Sequence, residues 1–305
     1  MTDTRLIHHV GVGALEWLWA HREGFRLEPE ADPEVGFLER FKPVGELAMI
    51  CKVLFREGVA GSRQSRLARR LVDHAWREVL DGGRMLVRGQ RTEPISPIPF
   101  EVYVPFKELG YSHPDLERAV ALNHRLDSWT ACEKTPTRRL GQSAFQRRYG
   151  LPPRPPEADA LGGTWLAATP EPWTVDARIA YDVTHNVFHL TDWGERPDGL
   201  PPGLAAYLAA WLPAWLDDWL DLERWDLLGE LLVVDACLPD PTLDERAWQG
   251  FAAAQQPDGA MPAVREMPEG DPDEVFDIVY HPTLVAAFAS VLATSRALTA
   301  LARAS

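Results

Sequence analysis

Between Tyr181 and Asp192 the chain reads YDVTHNVFHLTD, the densest polar cluster in an otherwise apolar stretch. His185 and His189 stand four residues apart, and Asp182 stands three before His185, so a helix presents all three on one face. That spacing lets one helix offer two or three ligands to a single metal ion. Further along, Tyr280-His281-Pro282-Thr283 places a histidine at a helix cap and a proline at the first helical position. Tyr111-Ser112-His113-Pro114 repeats the pattern more loosely. The macrodipole at a helix N-terminus disfavours imidazolium, so histidines there stay neutral, which is the form that binds metal.

Two carboxylates complete the set. Glu46 and Glu230 each fall in a Gly-Glu-Leu triplet that opens an apolar helix. A carboxylate buried in such a helix needs a cation, a metal, a histidine or a proton. His185 and His281 with Glu230 form a two-histidine, one-carboxylate set that suits zinc or non-haem iron(II), with positions left open for water or substrate. His189 is a further candidate ligand. Asp182 or Glu46 then serves as a fourth ligand or general base, and Tyr181 and Tyr280 donate a proton or orient the substrate. Arg138, Arg139, Arg147 and Arg148 form the one basic concentration. It reads either as a clamp for phosphate or carboxylate or as a solvated surface.

The elements that must position these residues read as helices near 9–23, 43–57, 63–80, 114–131, 174–192, 203–222, 225–238, 242–256 and 281–302. Proline- and glycine-rich breaks separate them. A Val/Tyr-rich patch at 101–106 (EVYVPF) reads as one short edge strand or hairpin. The 63–80 helix carries leucines on one stripe and arginines off it, as an outer helix does. Helices 44–54 and 228–238 are apolar nearly all round, as buried inner helices are. Glu46, His113, Asp182, Glu230 and His281 mark helix starts spaced at about one to two helical hairpins. Inner helices alternating with amphipathic outer ones imply an all-α fold, an α/α toroid of helical hairpins. It spans residues 1–305 as a single domain, with a Pro/Arg-rich insertion at about 132–170.

Gln255-Gln256-Pro257-Asp258-Gly259 resembles the Gln-x-x-Asp-Gly turn that ends an outer helix in the superfamily of terpene cyclases and protein prenyltransferase β subunits. Asp277-Ile-Val-Tyr280-His281 is similar to the inner-helix start that supplies a zinc-binding histidine in those β subunits. The resemblance covers roughly the last 80 residues and implies a toroid with a zinc centre. Asp235-Ala-Cys237 matches the superfamily's Asp-x-Cys zinc pair but sits late in its helix, where Glu230 holds the early position. Asp217-Asp218-Trp219-Leu220-Asp221 spells the DDxxD of class I terpene synthases, without a second magnesium motif.

Composition narrows the partners. A net charge of −14 and a pI near 5.1 repel nucleic acid and anionic membranes. Three well-separated cysteines do not make a disulfide framework, and a reducing cytoplasm fits them. No secretory signal is expected, and the apolar run 204–216 is too short to span a bilayer. The favoured expectation is a cytoplasmic enzyme with one divalent metal, zinc or iron. It acts on a small molecule or modified peptide, in specialised metabolism, in a pocket at the inner-helix N-termini. Two alternatives stay open: a metal-free carbohydrate-active toroid using paired carboxylates, and a non-catalytic binding or scaffold protein.

Overall fold

The computed structural model describes residues 3–27 and 37–304 of the chain. Fourteen α-helices run through the described residues, with no strand among them. In order they are α1 (Thr4–Ala20), α2 (Phe37–Glu57), α3 (Arg63–His74), α4 (Arg84–Thr92), α5 (Ile98–Glu108), α6 (Pro114–Asn123) and α7 (Asp127–Ala131). Then follow α8 (Pro136–Tyr149), α9 (Glu157–Gly162), α10 (Ala177–Leu190), α11 (Pro202–Asp221), α12 (Trp225–Cys237), α13 (Glu245–Ala254) and α14 (Pro272–Ala304).

Local chemistry sets many of the starts. Ser62, Asp176 and Asp244 cap α3, α10 and α13 by accepting a backbone N–H three residues on. Proline occupies the first position of α6, α8 and α11, where its missing N–H costs nothing. His113 is the cap of α6, its Nδ1 accepting from the Asp115 N–H at 3.3 Å.

Six helices form a closed circuit: α2 packs on α14, α14 on α12, α12 on α10, α10 on α8, α8 on α5, and α5 back on α2. Burial separates the circuit from its surroundings. Every residue of α12 from Leu227 to Cys237 is buried, whereas α3 buries only one stripe. The 132–170 segment supplies α8 and α9, and α8 is a member of the circuit, wedged between α5 and α10.

Three local expectations are corrected. The EVYVPF patch at 101–106 is not a strand; it lies inside α5, where every residue from Pro99 to Phe106 is buried. β-Branched and aromatic residues favour strands by packing on a half-buried surface, and here full burial between neighbouring helices overrides that preference. Second, α14 begins at Pro272, so His281 is not a cap but an interior residue with Pro282 following it inside the helix. The Pro282 ring removes one backbone donor, while Thr283 anchors the same turn by donating to the Val279 carbonyl at 2.8 Å and accepting from the Met261 N–H at 3.0 Å. Third, Glu46 lies in the middle of α2 rather than near its start.

By length and composition α14 is apolar enough to cross a membrane, with a mean hydropathy of 1.6, but 56% of that window is buried within the fold. The motifs behind the family resemblance have structural partners here. Gln255 Nε2 donates to the carbonyls of Val10 (2.9 Å) and Gly259 (3.0 Å), seating the turn after α13 on α1. Asp235 caps the Thr242 and Leu243 N–H groups, and Cys237 is fully buried, its thiol pushed up to about 11 by burial. Asp217 and Asp221 both pair with Arg246 of α13.

Candidate metal centre and its cavity

Two pins fix the first turn of α12. The Asp226 N–H donates to the Ala263 carbonyl at 3.1 Å, and Trp225 Nε1 donates to the Arg265 carbonyl at 2.9 Å. One turn on, Glu230 shares the Asp226 face, as residues at i and i+4 do. Both meet His281 of α14. His281 Nε2 lies 3.3 Å from Glu230 Oε1 and 3.4 Å from Asp226 Oδ1, and Nδ1 lies 3.0 Å from Glu46 Oε2 on α2. Asp226, Glu230 and His281 each offer one ligand atom within 4.8 Å of the others, so they can hold a metal ion. Among the described residues no other such group occurs.

In each of the three residues one atom is tied back and the other turns to the common point. The Tyr181 hydroxyl donates to Asp226 Oδ2, and Asp226 Oδ1 is buried without a hydrogen-bond partner. The Thr184 hydroxyl donates to Glu230 Oε2, leaving Oε1 turned to His281. A proton on His281 Nδ1 directed at Glu46 leaves Nε2 facing the two carboxylates. A carboxylate behind a metal-binding imidazole fixes its tautomer and ring orientation in this way.

The charges respond to this crowding. Burial pushes the Glu46 and Glu230 carboxyls up, but His281 and, respectively, Lys42 and His185 outweigh it, and both end below the usual range. Burial raises Asp226, and the Glu230 and Glu46 charges add to that, so it stays above its ordinary value despite His281. Burial lowers His281, yet Glu46, Asp226 and Glu230 carry it well above the ordinary histidine value. Burial, with Asp226 next to the hydroxyl, raises the Tyr181 phenol, so it stays a donor.

The remaining expected residues fall into place around this core. His185 Nδ1 bonds its own helix at the Tyr181 carbonyl (2.8 Å) and lies 3.8 Å from Glu230 Oε2. His189 sits one turn further from the cluster, its ring 6.5 Å from that of His185. Asp182 faces away and accepts from the Thr137 hydroxyl at 2.9 Å. Tyr280 stacks on Phe276 and meets the His281 ring edge-on at 6.2 Å, with no hydrogen bond from its hydroxyl to the cluster. The group that can hold an ion is thus one histidine and two carboxylates, with His185 of the expected set beside it, and it includes Asp226, which was not among the residues singled out from the sequence. Its signal was the i, i+4 relation to Glu230 across the start of a buried helix.

A cavity of about 360 Å³ opens beside the cluster. Its apolar wall is Met49, Ile98, Val102, Phe145 and Trp193, and its polar wall is Lys42, Glu46, Glu101, Arg138, His185 and His189. Between them, the cluster and the cavity draw side chains from all six helices of the circuit. Three of the four arginines expected as an anion clamp are ion-paired, Arg138 to Glu101 (2.7 Å), Arg147 to Asp192 and Glu157, and Arg148 to Glu108, while Arg139 is exposed. Arg147 and Arg56 also grip the turn after α10, where Asp192 and Trp193 take positive φ values of 49° and 58°. Such strain persists only where its surroundings hold it, and here it turns the Trp193 side chain to the cavity wall.

A family model described as a domain of unknown function, DUF6895, matches residues 11–291. The chain belongs to the DUF6895 family. That span contains Glu46, Asp226, Glu230, His281 and every residue of the cavity wall, so the centre is internal to the DUF6895 fold. No curated protein and no solved structure matches the chain.

Proposed function

We propose that this DUF6895 protein is a metal-dependent enzyme for a small molecule, with a divalent ion at Asp226, Glu230 and His281 and the substrate in the adjoining cavity. One observation carries the reading. Three side chains from two helices each turn one ligand atom to a common point, His281 Nε2 lying 3.3 Å from Glu230 Oε1 and 3.4 Å from Asp226 Oδ1, while Tyr181, Thr184 and Glu46 hold the other atom of each. Asp226 Oδ1, buried without a hydrogen bond and 3.4 Å from His281 Nε2, fits a cation better than it fits a closed hydrogen-bonded core. One imidazole beside two carboxylates suits zinc, iron(II) or manganese(II). Such an ion supplies Lewis acidity toward an oxygen of the substrate. His185, with Nδ1 committed to the Tyr181 carbonyl, turns Nε2 outward as the general base. For the scaffold we take the α/α toroid reading, supported by the closed circuit of six helices around the cavity.

The rival state is a proton on His281 Nε2 in place of a metal, with the imidazolium compensating the acids. Calorimetric titration of metal-stripped protein with Zn²⁺, Fe²⁺ and Mn²⁺ separates the two. Near-stoichiometric binding that releases protons, and is lost in Asp226→Asn but kept in Asp182→Asn, is the expected result. Absence of binding by all three ions in a folded sample refutes the proposal.

A further inference from the structure

Residues on the wall of the cavity beside the cluster carry polar groups that the protein itself leaves unsatisfied. Glu101 is 7% exposed; Arg138 takes its Oε2, and Oε1 has no partner. His189 is likewise 7% exposed and its ring makes no hydrogen bond. Burial, with the charges of His185, Arg138, Arg148 and Arg147 around it, keeps that imidazole neutral. The indole N–H of Trp193 is buried without an acceptor. All three residues line the same hollow. Buried polar groups without partners are costly, and several around one cavity mark a place where something else supplies the partners.

Charge limits what that is. The ionised side chains on the wall are Lys42 and Arg138 against Glu46 and Glu101, two of each sign. They neutralise one another locally, Arg138 with Glu101 at 2.7 Å and Lys42 with Glu46 at 3.7 Å. An ionic ligand therefore finds no unbalanced counter-charge and still loses its hydration. The rest of the wall is aliphatic and aromatic, and the volume lies near the lower end of small-molecule sites.

We propose that the cavity binds an uncharged alcohol or phenol built on one or two apolar rings. Its hydroxyl donates to Glu101 Oε1 and accepts from the Trp193 indole or the His189 ring, and its body packs against Met49, Val102 and Phe145. Treating that molecule as the substrate rests on the metal-enzyme reading; its binding does not.

The test uses the full chain and three probes with one shared ring system: 2-naphthalenemethanol, 2-naphthoate and 2-naphthylmethylammonium. Calorimetry at neutral pH is expected to show the alcohol binding at least about tenfold tighter than either ion. Glu101→Gln should weaken the alcohol about fivefold or more, and Phe145→Ala should do so independently, with the helical signal of each variant confirming its fold. Equal or tighter binding of either ion, no binding of the alcohol, or indifference to both variants overturns the proposal. Metal-stripped Asp226→Asn is expected to keep the alcohol. Retained alcohol binding in a protein that takes no metal therefore counts against the metal reading alone, and metal binding without alcohol binding counts against the cavity proposal alone.

Discussion

Asp226 and His281 pull the metal-free cluster in opposite directions. Asp226 is destabilised as an anion by burial and by Glu230 and Glu46, so its folded carboxyl sits above its unfolded value. Removing that charge relieves repulsion: Asp226→Asn is expected to raise the stability of the stripped protein at pH 7, by about 1 kcal/mol in urea unfolding, while abolishing metal binding. His281→Ala does the reverse, leaving Glu46, Asp226 and Glu230 without their central cation. A loss of about 3–5 kcal/mol is expected in the same measurement. His189 sets the acid limit. Its folded value lies well below 6.5, so on acidification the unfolded chain takes up a proton that the folded chain refuses. Its contribution is therefore intact above about pH 6.5 and declines below it, by about 1.4 kcal/mol per pH unit at most. His189→Phe should flatten the stability curve between pH 6.5 and 5; an unchanged slope places the acid sensitivity elsewhere. The proximity of Glu46, Glu230 and His281 was legible in the sequence because buried acids and a histidine in apolar helices need one another. Asp226 was not, since a first-turn acid of a helix is usually solvated. The direction of Asp182 was also hidden, because a shared face does not say which neighbour, here Thr137, lies opposite.

Helix packing places these groups, and two glycines test it. A Cβ on Gly141 of α8 would lie 2.7 Å from His189 Nε2 on α10. Gly141→Ala should therefore cost about 1–3 kcal/mol and displace the imidazole from the cavity wall, read by denaturant unfolding and by the histidine ring resonances. Gly259 combines a φ of 98° with contact against the Gly13 backbone, where a Cβ would come within 2.1 Å of the carbonyl oxygen. Gly259→Ala is expected to be at least as damaging, because the Gln255 clamp between α13 and α1 depends on that turn. Helix content was readable from periodicity, but α5 was not: Pro, Val, Tyr and Phe in close order look like a strand until burial on every side is known. The start of α14 escaped for a related reason. A histidine followed by proline looks like a cap, whereas the tightly packed α14 carries Pro282 in its interior.

At the scale of the molecule, six helices pack in a closed circuit and between them supply the cavity wall and the Asp226, Glu230 and His281 cluster, on a chain that carries fourteen excess negative charges. That charge opposes compaction, and salt screens it over about 10 Å at 0.1 M. Raising NaCl from 10 to 150 mM should lift the melting temperature of the stripped protein by about 2–4 °C in a thermal scan; a fall would mean that favourable ion pairs dominate instead. Alternating buried and one-sided helices made the all-helical class readable, and the membership of α8 in the circuit was not, because its arginines suggested a solvated insertion rather than partners for Glu101, Glu108 and Asp192. Under the proposed function Asp226, Glu230 and His281 are a metal site rather than an ion-paired core. Anomalous diffraction from crystals grown with zinc, recorded on both sides of the zinc edge, reads this directly. The expected map has one peak about 2.0–2.2 Å from Asp226 Oδ1, Glu230 Oε1 and His281 Nε2, with Nδ1 still bonded to Glu46. A map without that peak, in which His281 still bridges Glu46 and Glu230 at 3.0 and 3.3 Å, contradicts it.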